Sequence, residues 1–252
     1  MIALITGAST GIGFELAKVF AENNYDLIIV GKDKKRLDDA GKQLLKYKVK
    51  IRKIAIDLAE KNSATRLYRM LDTKVDILVN NAGFGGYGEF KDTDLEKELE
   101  MMQLNMVTLT ELTKHVVRDM IKNKKGKILN VASVAAFFPG PFMAIYYATK
   151  TYVLSFSVAI ANELKGTGVT LSVLCPGPTK SNFQKTAELK MSEARLDMMD
   201  AKTVAEAGYK GLMKNRLIII PGTKNKLQTL ASNFFPRSVL ANLVRIYQDE
   251  KL

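Results

Sequence analysis

Tyr146 and Lys150 stand four residues apart in a helix-patterned stretch, so phenol and ammonium share one face. That pairing suits proton transfer. A free phenol titrates at roughly 10, too high for efficient exchange near neutrality, and a neighbouring ammonium is expected to lower it. Tyr147 can face the same lysine and competes for the role; a Tyr and Lys merely paired on a helix surface are the plainer alternative. Other chemistries are narrowed by one histidine, His115, and one cysteine, Cys175. A Cys/His zinc cluster is not open to such a chain, and no metal is expected. His115 reads as a helix residue without catalytic work, and Cys175 as a small buried group at a strand end.

A second chemical feature lies at the start, in Thr6-Gly7-Ala8-Ser9-Thr10-Gly11-Ile12-Gly13. Gly7 permits a tight turn, Gly11 lets backbone approach a pyrophosphate, and Gly13 lets a helix pack closely. The helix that follows offers free N–H groups and a partial positive charge to phosphates. A glycine pattern alone is weak, but between a first strand and a first helix it predicts a dinucleotide.

Both features need a scaffold, and the hydrophobic pattern supplies one. Short apolar runs at 2–5, 27–30, 51–56, 75–79, 127–131, 170–175 and 217–220 read as buried strands. Helical spacing is found over 11–23, 34–47, 63–71, 94–123 and 146–165. Nearly all-apolar strands alternating with helices predict an α/β fold, a doubly wound parallel sheet covered on both faces. No linker or repeat divides the chain, so one domain is expected. Its cofactor-binding half is about 1–132, its catalytic and substrate half 133–222, and its amphipathic helical tail 223–252. Ligands bind such sheets at the carboxyl ends of the strands.

In its motifs the chain resembles the short-chain dehydrogenases/reductases. The turn is Gly-x-x-x-Gly-x-Gly; Asn80-Asn81-Ala82-Gly83 follows the fourth strand; Asn105 sits in the long helix. Ser133 follows the fifth strand thirteen residues before Tyr146, Tyr146–Lys150 matches Tyr-x-x-x-Lys, and Pro176-Gly177-Pro178-Thr179 follows the sixth strand. The resemblance covers residues 1 to about 222. It implies a Rossmann fold and reversible hydride transfer between a nicotinamide and a carbonyl or secondary alcohol. Tyr146 is then the general acid/base, Ser133 holds the carbonyl, Lys150 also holds the nicotinamide ribose, and Asn105 fixes a water that passes protons to the lysine. Cofactor contacts fall to Gly7, Ser9, Thr10, Gly11, Ile12 and Gly13, to Asp57 and Leu58 at the adenine, and to Asn81, Ala82 and Gly83 at the ribose. Tyr146, Lys150, Pro176, Gly177, Thr179 and Ser181 complete the nicotinamide side. Asp57 has a plainer alternative as a helix cap. A small-molecule substrate and a homodimer or homotetramer are also implied.

Past the second strand, Gly31 occupies the position where NAD users of the family carry Asp, and Lys32 that where many NADP users carry a base. NADP(H) is favoured over NAD(H). Asp33, twenty residues after Gly13, and the uncharged Thr10 weigh against it. Two rival readings are an NADP-binding sensor or scaffold, and a sugar-nucleotide epimerase or dehydratase. The intact Ser133–Tyr146–Lys150 set disfavours the first, glycine spacing and length the second.

The segment 134–143 is apolar and turn-rich, Phe84–Tyr87 is a second aromatic stretch, and Thr179 to about Met199 is expected to form a lid, so the pocket is read as apolar. The 38 basic residues outnumber 26 acidic ones, giving +12, yet 29 of them are lysines scattered along the chain. That reads as a solvated surface, without nucleic-acid binding. No apolar run reaches a membrane span of roughly 18 residues, and a cytoplasmic location is expected. In the tail, Val239, Leu240, Leu243, Val244, Ile246 and Tyr247 form a helical stripe preceded by Leu227, Leu230, Phe234 and Phe235. We expect it to pack on the protein's own body or a subunit partner, closing the pocket; contact with anionic lipid ranks second.

Overall fold

The computed structural model describes residues 1–181 and 198–249. In chain order the elements are β1 (Ile2–Thr6), α1 (Gly11–Glu22), β2 (Asp26–Gly31), α2 (Lys34–Leu44), β3 (Ile51–Ala55), α3 (Ser63–Arg69), β4 (Ile77–Asn80), α4 (Leu95–Met102), α5 (Leu109–Lys122) and β5 (Gly126–Val131). Then come α6 (Ala144–Glu163), β6 (Val169–Leu174), α7 (Ala201–Met213), β7 (Ile218–Ile219), α8 (Thr223–Ala231) and α9 (Arg237–Gln248). The strands form one parallel sheet in the order β3-β2-β1-β4-β5-β6-β7. This is the doubly wound α/β architecture expected from the alternation of apolar runs and helices. Strand order reverses between β1 and β4, and such a reversal opens a crevice at the strands' carboxyl ends.

Side-chain alternation explains why the strands are apolar on both faces. From β1, Ala3 and Ile5 enter a layer with Leu16 and Phe20 of α1 and Val204 and Leu212 of α7. Leu4 enters the opposite layer with Leu112, Val116 and Met120 of α5. Register pairs Leu4 with Ile28 of β2 and with Leu78 of β4, so each layer is continuous across the sheet.

Three elements depart from the sequence reading. The helix expected over 94–123 is broken by a π-helical segment, Gln103–Thr108, between α4 and α5; it carries Asn105, and such bulges are frequent at functional sites. Helix α7 lies in a stretch to which the sequence reading assigned no element, and it contains Gly208 and Gly211. Both glycines serve close contact: a Cβ on Gly211 would lie 2.5 Å from Ile219, and one on Gly208 3.0 Å from Leu174. The tail stripe divides. Leu240 is buried and Val244 half-buried, whereas Val239, Leu243, Ile246 and Tyr247 are exposed, so most of the stripe does not pack on the body. The lid expected over Thr179 to Met199 lies, at 182–197, outside the described residues. Among the described residues no helix is long and apolar enough to cross a membrane.

Candidate active site

The crevice at the strand ends is a cleft of about 1000 Å³ lined by every candidate site residue except Gly13 and Asn105. Gly13 lies beneath it. Its Cβ would stand 2.3 Å from the Gly7 carbonyl oxygen and 2.4 Å from Asn81 Nδ2, so only hydrogen fits between helix and turn. Gly7, at φ +64°, takes the left-handed conformation the tight turn requires. Asn81 locks that turn, its Nδ2 donating to the Thr6 and Gly7 carbonyls at 2.9 and 3.2 Å, while Thr6 Oγ1 accepts from the N–H groups of Asn81 and Ala82. The N-terminus of α1 has no side-chain cap at Thr10 and no acid in its first turn. Neither its own cap nor its first turn offsets its N–H groups and dipole, the arrangement a pyrophosphate fits.

One end of the cleft carries two cations and two acids, Asp33 and Asp57, each acid paired with one of the cations. Lys32 and Arg36 line it with Ser9, Gly31 and Asp57. Lys32 Nζ lies 4.0 Å from Asp57 Oδ2, and Asp57 Oδ1 accepts from Ala59 N at 2.9 Å, holding a turn rather than capping a helix. Asp33 is the N-cap of α2, accepting from Arg36 N at 3.0 Å and pairing with Arg36 Nε at 3.2 Å. Arg36 was not singled out in the sequence; its signal was a base three residues beyond an N-cap acid. Leu58 is buried, its carbonyl accepting from Ser63 and Thr108.

The other end carries Ser133, Tyr146 and Lys150. Ser133 leaves β5 as the N-cap of a 3-10 turn, its Oγ accepting from Ala135 N at 3.1 Å. It also shares a hydrogen bond with the Tyr146 phenol. One turn of α6 further on, Lys150 Nζ sits 5.7 Å from the Tyr146 ring centroid and donates to the Val131 carbonyl at 3.1 Å. Burial governs both groups. It lowers Lys150 to about 8 and raises Tyr146 to about 12, with the Ser133 hydrogen bond pulling the phenol the other way. The phenol is thus raised by burial, opposite in direction to the lowering expected from the lysine, whose ammonium is anchored on the Val131 carbonyl.

Asn105 is buried between loop and helix. Its Nδ2 donates to the Phe84 carbonyl at 3.0 Å and to Thr149 Oγ1 at 3.1 Å, and its Oδ1 accepts from Phe84 N at 3.2 Å. A Cβ on Gly83 would meet Asn105 Oδ1 at 2.8 Å and Lys150 Nζ at 3.5 Å, so the three are neighbours. Thr179 Oγ1 donates to the Gly177 carbonyl at 2.8 Å. Ser181 Cβ stands 3.0 Å from where a Gly11 Cβ would lie, on the glycine-turn side of the cleft. Pro176 accepts weakly from Ser133 Oγ at 3.4 Å.

Aromatic walls enclose this end. Tyr147 is committed elsewhere: its ring covers Gly140, and its hydroxyl accepts from Gln248 Nε2 at 2.6 Å. Phe142 is held at φ +63°, a strained conformation for a bulky residue, by Gly88 N donating to its carbonyl at 2.9 Å. Tyr247 and Gln248, from α9, line the cleft; Tyr247 belongs to the tail stripe expected to close the pocket, whereas Gln248 carried no sequence signal. His115 stacks on Tyr68 and contacts Thr65, and Cys175 is wholly buried.

A dinucleotide cradle that leads to a serine, a tyrosine and a lysine defines a class, the nicotinamide-dependent oxidoreductases. Comparison narrows it. The family described as short chain dehydrogenase is matched over residues 1–192. The very-long-chain 3-oxoacyl-CoA reductase-A of Danio rerio is 32% identical over 244 residues, 94% of this chain and 71% of that one. Two solved structures are similar. One is a short-chain dehydrogenase from Sphingobium yanoikuyae in complex with NADPH, at TM-score 0.84 and 29% identity, covering 92% of this chain and 93% of that one. The other is the bulky-bulky ketone specific alcohol dehydrogenase from Comamonas testosteroni, at TM-score 0.78 and 31% identity, covering 92% of each. The chain belongs to the short-chain dehydrogenase/reductase family, and is an oxidoreductase of carbonyls and alcohols that binds a nicotinamide cofactor.

Proposed function

We propose that the protein is an NADP(H)-dependent oxidoreductase that interconverts a bulky, predominantly apolar carbonyl compound and its secondary alcohol, with Tyr146 as the general acid/base. The observation that carries this reading is the polarity of one continuous cleft: Lys32 and Arg36 at one end, Ser133, Tyr146 and Lys150 among aromatic walls at the other. NADPH in the Sphingobium structure and the bulky ketones of the Comamonas enzyme support it.

The cofactor's pyrophosphate would lie on the 7–13 turn and α1, its 2′-phosphate against Lys32 and Arg36, and its adenine beside Asp57 and Leu58. Asn81, Ala82 and Gly83 would face the adjoining ribose. Lys150 would hold the nicotinamide ribose, with Pro176, Gly177 and Thr179 around the nicotinamide and Ser181 between it and the pyrophosphate turn. When bound, the nicotinamide supplies or accepts the hydride. Ser133 donates a hydrogen bond to the carbonyl oxygen and orients it. Tyr146, protonated throughout the neutral range, gives that oxygen its proton in reduction; in oxidation it must first lose it. Lys150, lowered to about 8, is poised to restore the proton. Asn105 fixes the Phe84 loop and, through Thr149, the turn of α6 that carries both groups.

The same reading takes the protein to be a cytoplasmic homodimer or homotetramer. Purified protein with NADPH or NADH and a panel of aliphatic and aromatic ketones and aldehydes tests it. Faster NADPH oxidation with large apolar carbonyls is expected. Tight NADPH binding with no turnover on any compound would instead favour a sensor.

A further inference from the structure

Helix α8 is built inside out. Its buried positions are polar, and they are satisfied locally. Asn225 Nδ2 donates to the Pro221 carbonyl at 2.8 Å, Thr229 Oγ1 to Asn225 O at 3.0 Å, and Ser232 Oγ, in the turn that follows, to Thr229 O at 2.8 Å. Its large apolar side chains point outward: Leu227 is 69% exposed, Leu230 58%, and Phe234 just beyond the helix 78%. Helix α9 also turns apolar side chains outward. Leu240 is buried, while Val239, Leu243 and Ile246, spaced four and three apart, lie bare along another face. Scattered exposed apolar residues are ordinary. Two consecutive helices that both present large apolar side chains to the outside mark an interaction surface.

Charge selects the occupant. From Thr223 to Gln248 the chain contains no Asp or Glu, whereas Lys224, Lys226, Arg237 and Arg245 are interspersed with the apolar residues; acids begin only at Asp249. A second copy would bring an equally cationic face, on a chain already at +12, and like charges would oppose the pairing. An anionic lipid surface complements it, since cations attract the headgroups while apolar side chains enter the acyl boundary. We propose that α8, the turn Ser232–Phe234 and α9 form a docking surface for an anionic bilayer, with Leu230 and Phe234 inserted between headgroups.

The position of α9 gives the docking a purpose. Tyr247 and Gln248, at its end, line the cleft, and the Gln248 carbonyl accepts from Tyr87 OH at 2.7 Å. An apolar carbonyl compound dissolved in the bilayer would therefore enter beside the docked helix. Substrate delivery rests on the activity proposed above; docking does not.

The test is sedimentation of the full-length protein with phosphatidylcholine vesicles, and with vesicles containing about a third phosphatidylglycerol, at low and high salt. At low salt the anionic vesicles should bind at least about ten-fold more protein than the neutral ones, and high salt should weaken that binding. Leu230→Ser with Phe234→Ser, both exposed, should lose at least about ten-fold of the binding and melt at the parent's temperature. Absence of pelleting with anionic vesicles at low salt overturns the proposal, as does undiminished binding by the double variant. A parent that is oligomeric by light scattering and becomes monomeric in the double variant also overturns it, because the face is then a subunit interface.

Discussion

The proposed preference for NADP(H) rests on two exposed cations, and their exposure sets the size of the effect. Lys32 is 76% exposed and Arg36 62%. A hydrogen bond to a charged group contributes roughly 1.5–3 kcal/mol when shielded, but solvent screening at this exposure reduces each contact to about 1 kcal/mol. Lys32→Gln with Arg36→Gln should therefore cost NADPH about 2 kcal/mol relative to NADH, roughly thirty-fold in the ratio of kcat/KM values. Adding Gly31→Asp places a carboxylate against the 2′-phosphate and beside a 2′-hydroxyl, about another 1 kcal/mol, for a total on the order of a hundred-fold. Gly31 has room for the change, because its Cβ would meet Ser9 Oγ at 3.4 Å and Leu37 Cδ1 at 3.6 Å, ordinary contacts. The assay is initial rates with both cofactors at fixed ionic strength, repeated at higher salt, where the parent's preference should shrink. Asp33→Ala is the control: loss of its cap should lower stability by about 1 kcal/mol, and, because it frees Arg36 from its ion pair, it should not shift the ratio toward NADH. A parent that already prefers NADH, or an Asp33→Ala variant that loses NADH affinity, would refute the assignment.

The catalytic end yields further expectations. Tyr146→Phe should bind NADPH normally by fluorescence yet lose about 10²–10⁴ in turnover, whereas Tyr147→Phe, which loses only the hydroxyl facing Gln248, should change turnover little; the reverse ranking would transfer the acid to Tyr147. With Tyr146 raised to about 12, the acid form is present at all working pH values. The reduction rate should therefore show no fall from loss of the phenol proton below about pH 10, while oxidation, which needs the deprotonated form, should climb with pH through and above neutrality. Because Lys150 is lowered to about 8, its ammonium is lost as pH rises through that value, and NADPH affinity should weaken above it, as binding titrations at several pH values would reveal. Gly13→Ala forces a methyl to within 2.3 Å of the Gly7 carbonyl oxygen; overpacking of that kind costs about 1–3 kcal/mol, and should appear as a lower melting temperature together with lost NADPH binding.

The fold was largely legible because each strand is an apolar run ended by polar or glycine residues, and β1, β2, β5 and β6 differ from their sequence boundaries by one residue at most at each end. What escaped were elements whose residues answer to a neighbour rather than to local preference. Gly208 and Gly211 weaken α7 as an isolated helix and are needed for its contact with Leu174 and Ile219. The π-helical segment at Gln103 leaves no mark in a periodicity of apolar residues, yet it is what carries Asn105 into contact with Phe84 and Thr149.

The site shows the same division. Spacing alone places Tyr146 and Lys150 on one face, but it cannot weigh the charge of Lys150 against the burial of Tyr146, because desolvation depends on what surrounds both groups in three dimensions. Gln248 reaches Tyr147 across 101 residues of sequence, a contact no local pattern encodes. The tail is the sharpest instance. An apolar stripe with interspersed lysines reads alike whether it faces inward or outward, and only the burial of Asn225, Thr229 and Ser232 tells which way α8 is turned. Its polar residues pack against the protein, so its apolar ones must meet whatever lies outside it.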